Sequence, residues 1–191
     1  MIVSCKIYSR NRDSSAVQKP AIDKAYTFRK LQIKDFKNCR LASEKNRYNF
    51  FKERIKDGHE AFGWIYKEEV VGYLWLSGQK NTLMCPFEAG TKLSLNKNQI
   101  YIWDCRTQEQ HRRKKLFKAA LINIAENKMS NCDVLIATRG ENEYSKRAIL
   151  GAGFEKILEV KLYAIFKLTT LVLIRRRWFF LFGKKILELN P

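Results

Sequence analysis

The chain has 191 residues, 46% of them apolar and 13% aromatic, which is enough for one domain with a hydrophobic core and excludes a disordered chain. Its 37 Lys and Arg against 19 Asp and Glu give a net charge of +18. Such an excess favours an anionic partner, whether nucleic acid, anionic lipid or a phosphorylated small molecule, and does not choose among them.

The cysteine pattern excludes a metal-binding motif, and the hydropathy excludes a membrane-spanning helix. The 5 cysteines are widely spaced and the chain has only 2 histidines, so no metal-ligand motif is present. We therefore expect reduced thiols in a cytoplasmic protein without a bound metal. No apolar run reaches the roughly 18 residues that a membrane-spanning helix needs.

The first elements are predicted from the spacing of apolar residues and from residues that end helices or favour loops. Residues 1–25 are predicted to be an N-terminal arm, because most of the stretch is polar and has no clear period. A strand is expected at 26–33. Helical sequence follows over 34–58, with a break near Ser43 and a helix end at Gly58.

The middle of the chain is rich in strand signals. Two runs of aromatic and β-branched residues flank Lys67–Glu69, which predicts a hairpin, and Gly72 in the second run is typical of a bulge. Residues 98–107 give the strongest strand pattern. The later predicted elements are a helix at 112–128, a strand at 132–138, a helix at 142–151 and one or two strands over 154–168. The strand–helix–strand order over 98–138 predicts a right-handed crossover unit.

The segment QEQHRRKKLFKAAL (108–121) places four consecutive cations, Arg112 to Lys115, at the predicted N-terminus of a helix. A helix N-terminus carries a partial positive charge and unpaired N–H groups, so cations there are unfavourable unless an anion binds among them. Two interpretations stay open: a phosphate-binding site, or long side chains that extend into solvent. His111 is expected to be a surface residue at the same place.

Read with the segment ENEYSKRAILGAGFEKI (141–157), the segment IYIWDCRTQEQHRRKKLFKAAL (100–121) resembles the cofactor motifs of the GCN5-related N-acetyltransferase (GNAT) superfamily. The segment FGWIYKEEVVGYLWLSG resembles its second and third strands. The resemblance implies an α/β fold with a mixed, mostly antiparallel central sheet flanked by helices. It also implies a GNAT-like acetyltransferase domain at 26–168 and a basic, aromatic C-terminal extension at 169–191.

The resemblance further implies transfer of an acetyl group from acetyl-CoA to an amino group of a small molecule or sugar. A glycan precursor becomes a natural acceptor only if the C-terminal extension contacts a membrane. Neither a metal nor a specific nucleic acid is implied. In the family, amides at the start of the first motif's helix hold the cofactor pyrophosphate, and Asn142 matches a residue that contacts the cofactor arm. The implied cofactor-binding residues are Cys105, Thr107, Arg112, Arg113, Lys114, Lys115, Leu116, Phe117, Asn142 and Ser145.

Two departures from the family pattern bear on activity. Arg113 and Lys115 stand where family members typically have glycine, which lets a phosphate approach the backbone. Ile149 stands where many members have a tyrosine that acts as the acid for the leaving thiolate. A catalytically lapsed GNAT-fold binding module therefore stays open as the alternative function.

Acetyl transfer from a thioester needs a deprotonated amine, a polarised carbonyl and a stabilised thiolate. Asp104 is the best-placed candidate base, although a strand-end hydrogen-bond acceptor is the competing interpretation, and Glu60 is a weaker candidate. Tyr144 and Tyr163 are candidate acids. The backbone around Cys105 would supply the N–H group for the carbonyl.

The C-terminal extension alternates arginines with aromatic blocks. A last strand packed on the domain or on a second subunit is favoured. The competing interpretation is peripheral membrane contact, in which Arg175–Arg177, Lys184 and Lys185 meet lipid phosphates. We therefore expect a cytoplasmic protein, with membrane association left open. The oligomeric state is also open, with a dimer as one option.

Overall fold

The computed structural model describes residues 2–11, 16–37, 39–43, 47–78, 85–86, 92–128, 132–166, 169–174, 177–182 and 186–188. The strands are β1 Ile2–Arg10, β2 Tyr26–Leu31, β3 Glu60–Tyr66, β4 Glu69–Gly78, β5 Cys85–Pro86, β6 Lys92–Ser94, β7 Gln99–Thr107, β8 Asp133–Arg139, β9 Glu155–Phe166, β10 Thr169–Ile174, β11 Arg177–Phe182 and β12 Ile186–Glu188. The α-helices are α1 Arg40–Ser43, α2 Arg47–Lys56, α3 Leu116–Lys128 and α4 Glu143–Gly151, with 3-10 turns at Ile33–Phe36 and Glu109–His111.

A 9-stranded sheet runs through the molecule in the order β11-β10-β9-β1-β8-β7-β4-β3-β2. Its neighbouring strands pair antiparallel except β7 and β8, which are parallel and are joined through α3. The predicted mixed, mostly antiparallel α/β sheet is therefore confirmed. A smaller sheet has the order β12-β6-β5.

The prediction of an N-terminal arm over 1–25 is wrong for its first part. β1 lies inside the sheet, paired with β8 on one side and β9 on the other. Cys5 and Ile7 are both fully buried, and the less buried Lys6 lies between them. Residues 8–10 are buried as well, and Ile7 and Tyr8 belong to the apolar clusters on opposite faces of the sheet. A strand covered on both faces lacks a clear alternation of apolar and polar residues, so the sequence did not distinguish it from a loose apolar start.

The predicted hairpin between β3 and β4 is confirmed. Lys67 and Glu68 have φ of 47° and 66°, as a two-residue type I′ turn requires. The register shifts between Trp64 and Ile65, so that β4 carries one extra residue immediately before Gly72. The predicted bulge is therefore present.

The helical segment over 34–58 divides as expected, because α1 ends at Ser43 and a separate helix follows. Gly58 has φ of 85° and donates its N–H to the Ile55 carbonyl at 3.1 Å. The next N–H, that of His59, donates to the Arg54 carbonyl at 2.9 Å. This pair of bonds is a Schellman motif, which confirms Gly58 as the end of the helix.

Helices cover both faces of the sheet, and each face has its own apolar cluster. The face under α1 and α2 includes Phe36, Leu41, Phe51, Tyr73, Trp75, Tyr101 and Trp103. The face under α3 and α4 includes Leu74, Ile100, Ile102, Leu116, Leu121, Ile122, Ile149 and Phe154. Full burial of one such side chain contributes roughly 1.5–3 kcal/mol, so the two clusters hold the helices on the sheet.

The side chains of Cys5, Cys39 and Cys132 are buried, and that of Cys105 is partly buried. The Cys39 thiol donates to the Val70 carbonyl at 3.4 Å. In the part of the chain that the structure describes, no helix is long and apolar enough to cross a membrane.

The C-terminal extension begins as added strands. β9 is one strand of 12 residues, β10 pairs antiparallel with it, and β11 pairs with β10. The extension therefore continues the sheet at this edge. The predicted lipid contacts of Arg175, Arg176, Lys184 and Lys185 lie outside the described residues.

Candidate active site

The strands β7 and β8 part in the middle of the sheet. Their parallel pairing runs from Gln99 with Asp133 to Ile102 with Ile136 and ends there, although both strands continue. On its other side β7 shifts its register with β4, and Asp104 lies in this bulge with φ of 40°. A bulge bends its strand, so a gap opens between β7 and β8 beyond Ile102.

The bulge also changes which face Asp104 occupies. Strict alternation would place Trp103 and Asp104 on opposite faces of the sheet. Arg54 instead contacts both, with its Cζ 4.3 Å from the Trp103 ring centroid and its Nη1 2.6 Å from Oδ2 of Asp104. Cys105 packs on the opposite cluster, and burial raises the pKa of its thiol, with a smaller contribution from the Asp104 charge.

Asp104 lies among three guanidinium groups. Its Oδ2 is 2.6 Å from Arg54 and 3.1 Å from Arg47, and its Oδ1 is 3.4 Å from Arg106. The side chain is only 15% exposed. Both carboxylate oxygens already accept hydrogen bonds from arginines, so Asp104 is the anchor of an arginine cluster. Its role as the general base stays a prediction.

The helix predicted to begin at Arg112 begins at Leu116 instead. Arg113 and Lys115 have φ of 61° and 60°, which no α-helix accommodates. The first bond of the helical ladder runs from the Ala119 N–H to the Lys115 carbonyl at 3.0 Å. Each left-handed residue other than glycine costs roughly 1–2 kcal/mol. The loop thus keeps a glycine-like backbone at the two positions where the family resemblance expects glycine.

This backbone leaves donors available at the start of α3. Across the described ranges, the N–H groups of residues 113–118 find no protein acceptor. Helix N-termini and loops with left-handed residues form concave sites for anions, because several N–H groups point to one place. The arrangement fits the pyrophosphate of acetyl-CoA.

Two of the four loop cations remain available for such an anion. All of residues 112–115 are exposed. Lys114 donates to the Tyr26 hydroxyl at 2.9 Å and lies 5.4 Å from the centre of its ring. Arg113 and Lys115 form no ion pair with any described residue, so their charges are free to meet phosphate.

The other predicted cofactor-binding residues of the first motif surround the same loop. Thr107 ends β7, and its carbonyl accepts from Arg112 Nε at 3.3 Å. Leu116 is buried, and its carbonyl accepts from Trp64 Nε1 at 2.9 Å. Phe117 is partly buried and packs on the apolar cluster under α3 and α4. These contacts fix the loop against the sheet and the first turn of α3.

His111 is buried rather than exposed, which corrects the prediction of a surface residue. Its Nδ1 lies 2.9 Å from the Tyr26 hydroxyl, which already accepts from Lys114. The hydroxyl therefore donates to His111. Burial, followed by the Lys114 charge, lowers the pKa of the imidazole.

The second motif forms the two ends of α4. The Asn142 side-chain oxygen caps the helix by accepting from the Ser145 N–H at 3.0 Å. Gly153 has φ of 81°, and the Phe154 N–H donates to the Ile149 carbonyl at 3.3 Å. The predicted turn into the next strand is present. A cofactor contact of Asn142 and Ser145 stays a prediction.

The weaker base candidate Glu60 is also engaged by cations. It lies 2.9 Å from Lys30 and 3.5 Å from Lys128. Although burial opposes the effect, these two partners lower the pKa of Glu60. The side chain of Tyr163, the second candidate acid, lies outside the described residues.

The sequence matches the family described as the acetyltransferase (GNAT) family over residues 25–154, more than half of the chain. The chain belongs to the GNAT acetyltransferase family. No curated protein matches it.

Solved structures show the same fold at low identity. A GNAT-family acetyltransferase from Colwellia psychrerythraea has a TM-score of 0.53 at 13% identity, with 83% of this chain and 55% of that chain covered. A Drosophila protein has 0.59 at 10% identity, with 84% and 50% covered. AAC(6′)-Iy, in complex with the bisubstrate analogue CoA-S-monomethyl-acetylneamine, has 0.51 at 13% identity, with 69% and 91% covered. The chain spans about half the length of the first two.

Within the GNAT fold, the second departure from the family pattern is structural. Ile149 is a fully buried residue of α4 and packs in the apolar cluster between this helix and the sheet, where many members have an ionisable side chain. Tyr144, the predicted acid, is 81% exposed on the first turn of the same helix. Its role as an acid stays a prediction.

The two arginines of α2 beside the bulge of β7 were not predicted from the sequence. Arg47 and Arg54 stand seven positions apart on α2 and so lie on one helix face, with Phe51 between them. The periodic cations were a usable signal. Their convergence on Asp104 was not predictable, because it depends on the bulge.

Proposed function

We propose that the protein transfers an acetyl group from acetyl-CoA to an amino group of a small molecule or sugar. The observation that carries the proposal is the backbone at Arg113 and Lys115, which keeps the conformation of glycine and leaves the N–H groups of residues 113–118 available. The departure in residue type therefore does not close the anion site.

The roles of the chain's residues follow from their places. The N–H groups at the start of α3 bind the pyrophosphate, and Arg113 and Lys115 add paired charge from the rim. Asn142 and Ser145 hold the cofactor arm. The β7 backbone around Cys105 faces the gap between the parted strands and orients the carbonyl. Acetyl-CoA supplies an acyl group activated as a thioester.

Calorimetric titration of acetyl-CoA into the purified protein tests the first step, and we expect micromolar binding. The double variant Arg113→Gly/Lys115→Gly removes both charges while keeping a backbone that adopts positive φ, so it isolates the cations. We expect it to bind about 5–30-fold more weakly, since a hydrogen bond to a charged group contributes roughly 1.5–3 kcal/mol and exposure reduces this. Lys156→Gln, an exposed cation on β9, is the matched control.

Absence of binding in the wild type would contradict the proposal. Binding restored by the glycine variant would show that the two side chains obstruct the site.

A catalytically lapsed binding module remains the second candidate, and two observations favour it. Asp104 is held in ion pairs, and the position of the family's tyrosine is the buried Ile149. Release of free CoA thiol in the presence of an amine panel separates the two functions. Tight acetyl-CoA binding without thiol release from any amine would support the lapsed module.

A further inference from the structure

Two arginines of α2 share one carboxylate beside the gap. Arg47 and Arg54 have side chains only 16% and 21% exposed, and both pair with Asp104. Within the described chain neither has another acidic partner. Buried charge of one sign is costly unless it is matched, so this cluster has an unmatched positive charge.

The same cluster contains buried donors without partners. Within the described residues, Arg47 Nη1, the Tyr73 hydroxyl and Trp75 Nε1 make no hydrogen bond. Tyr73 is 3% exposed and Trp75 is fully buried. A buried donor without an acceptor is unfavourable, and such groups are rare in native folds.

These donors lie around one aromatic ring. The ring centroids of Tyr73 and Trp75 are 5.2 and 5.3 Å from that of Phe51. The guanidinium carbons of Arg47 and Arg54 are 5.9 and 5.4 Å from the same centroid. Burial, with a smaller contribution from the Asp104 charge, raises the pKa of Tyr73, which therefore stays protonated as a donor.

The chemistry of the cluster selects its ligand. A guanidinium and an indole N–H can only donate, and the phenol hydroxyl is free to donate as well. The missing partner must therefore supply acceptor oxygens and negative charge, as a carboxylate or a phosphate does. The cluster adjoins the bulge of β7, where the strands part.

We propose that Arg47, Arg54 and Tyr73 bind the anionic group of the acceptor, so that the acceptor is an amine that also carries a carboxylate or a phosphate. The proposal rests on the acetyltransferase function proposed above. It names the substrate class within that function.

The test measures acceptor binding without acetyl-CoA. The fluorescence of Trp75 and Trp103 reports on the cluster, because both rings contact Arg54. The probes are matched pairs, phenylalanine against phenethylamine and glucosamine 6-phosphate against glucosamine. We expect the anionic member of at least one pair to bind tenfold or more tightly, and the pair that responds distinguishes carboxylate from phosphate. Equal affinity within both pairs would overturn the proposal.

Two variants separate a binding role from a structural one. Tyr73→Phe removes only the unpartnered hydroxyl, so we expect an equal or higher melting temperature together with about tenfold weaker anion binding. Arg47→Gln should weaken the same binding by at least tenfold. Lys56→Gln, an exposed cation on the same helix, should leave it unchanged. Unchanged anion binding in Tyr73→Phe and Arg47→Gln would identify a purely structural cluster.

The two proposals fail independently. Anion binding without acetyl-CoA binding in calorimetry would remove the proposed function and leave the anion site. Acetyl-CoA binding with no preference for anionic amines would do the reverse.

Discussion

Arg113 and Lys115 hold a conformation that favours glycine, and the strain is maintained because the flanking contacts fix the loop on both sides. On one side of the loop, the Arg112 side chain donates a hydrogen bond to the Thr107 carbonyl at the end of β7. On the other side, the Leu116 carbonyl accepts a hydrogen bond from the Trp64 indole. Backbone strain that persists in this way is concentrated at functional sites. At the scale of single residues, the loop therefore combines a cradle geometry with side chains that add charge.

The strain has a measurable consequence. Arg113→Gly and Lys115→Gly should each raise the free energy of unfolding by up to about 1 kcal/mol, because glycine adopts positive φ without the Cβ clash. Urea titration measures the change. Lys114→Gly is the matched control, because Lys114 has no positive φ. This variant removes the hydrogen bond to the Tyr26 hydroxyl and should be destabilised. Equal destabilisation of all three variants would contradict the assigned strain.

His111 makes stability depend on pH. Burial and the Lys114 charge lower the pKa of its imidazole, so the unfolded chain binds a proton at a higher pH than the folded chain does. Its contribution is therefore fully present above about pH 6.5 and is lost as pH falls through the folded pKa.

The test compares urea unfolding at pH values between about 7 and 5 for the wild type and His111→Gln. The variant should lose less stability over this range. His59, whose pKa burial also lowers, adds a second contribution of the same sign, so His59→Gln serves as a parallel comparison. An unchanged pH slope in both variants would contradict the assignment.

At the scale of elements, long and strongly patterned segments were predictable and bulged or short ones were not. The strand over 98–107, the hairpin turn at Lys67 and the glycine end of α2 all have local signals in residue type. The late start of α3 had no signal in residue type, because arginine and lysine seldom adopt a left-handed backbone. Only the family resemblance, which expects glycine at positions 113 and 115, pointed to it. Asp104 changes face because of a bulge whose cause lies in pairing with β4, which no local window contains.

The placement of β1 leads to an element-scale prediction. Ile7 is fully buried between two paired strands, so Ile7→Ala should lower the free energy of unfolding by about 2–5 kcal/mol. A residue in a loose arm would give almost no change. Lys6→Ala, the neighbour on the opposite side of the strand, should cost less than about 1 kcal/mol in the same urea titration. Similar small effects in both variants would restore the arm interpretation.

At the scale of the whole molecule, the sheet separates the two proposed binding regions. The start of α3 lies on one face, and the cluster of Arg47, Arg54 and Asp104 lies between α2 and the other face. The two faces adjoin at the gap between β7 and β8, where the pairing of these strands ends. The sequence predicted the first region from a motif and missed the second, because its residues come from separate elements.

This separation predicts independent effects on two substrates. Arg113→Gly/Lys115→Gly should raise KM for acetyl-CoA with little effect on KM for an anionic amine, and Arg47→Gln should do the opposite. The triple variant should combine both effects additively, as distant sites do, within about 0.5 kcal/mol. Two-substrate initial-rate kinetics measure all three. Strong non-additivity would show that the regions are not independent.

The buried cysteines can report how fast different parts of this chain open. Cys5, Cys39 and Cys132 are inaccessible in the native fold, and they sit on the first strand, before α1 and before β8. An alkylating reagent can reach them only when the chain opens. In a Cys85→Ser/Cys105→Ser background, the rate at which each remaining thiol is modified would time the opening of its own part of the fold. Equal rates would mean that the sheet and the helical faces separate in one event.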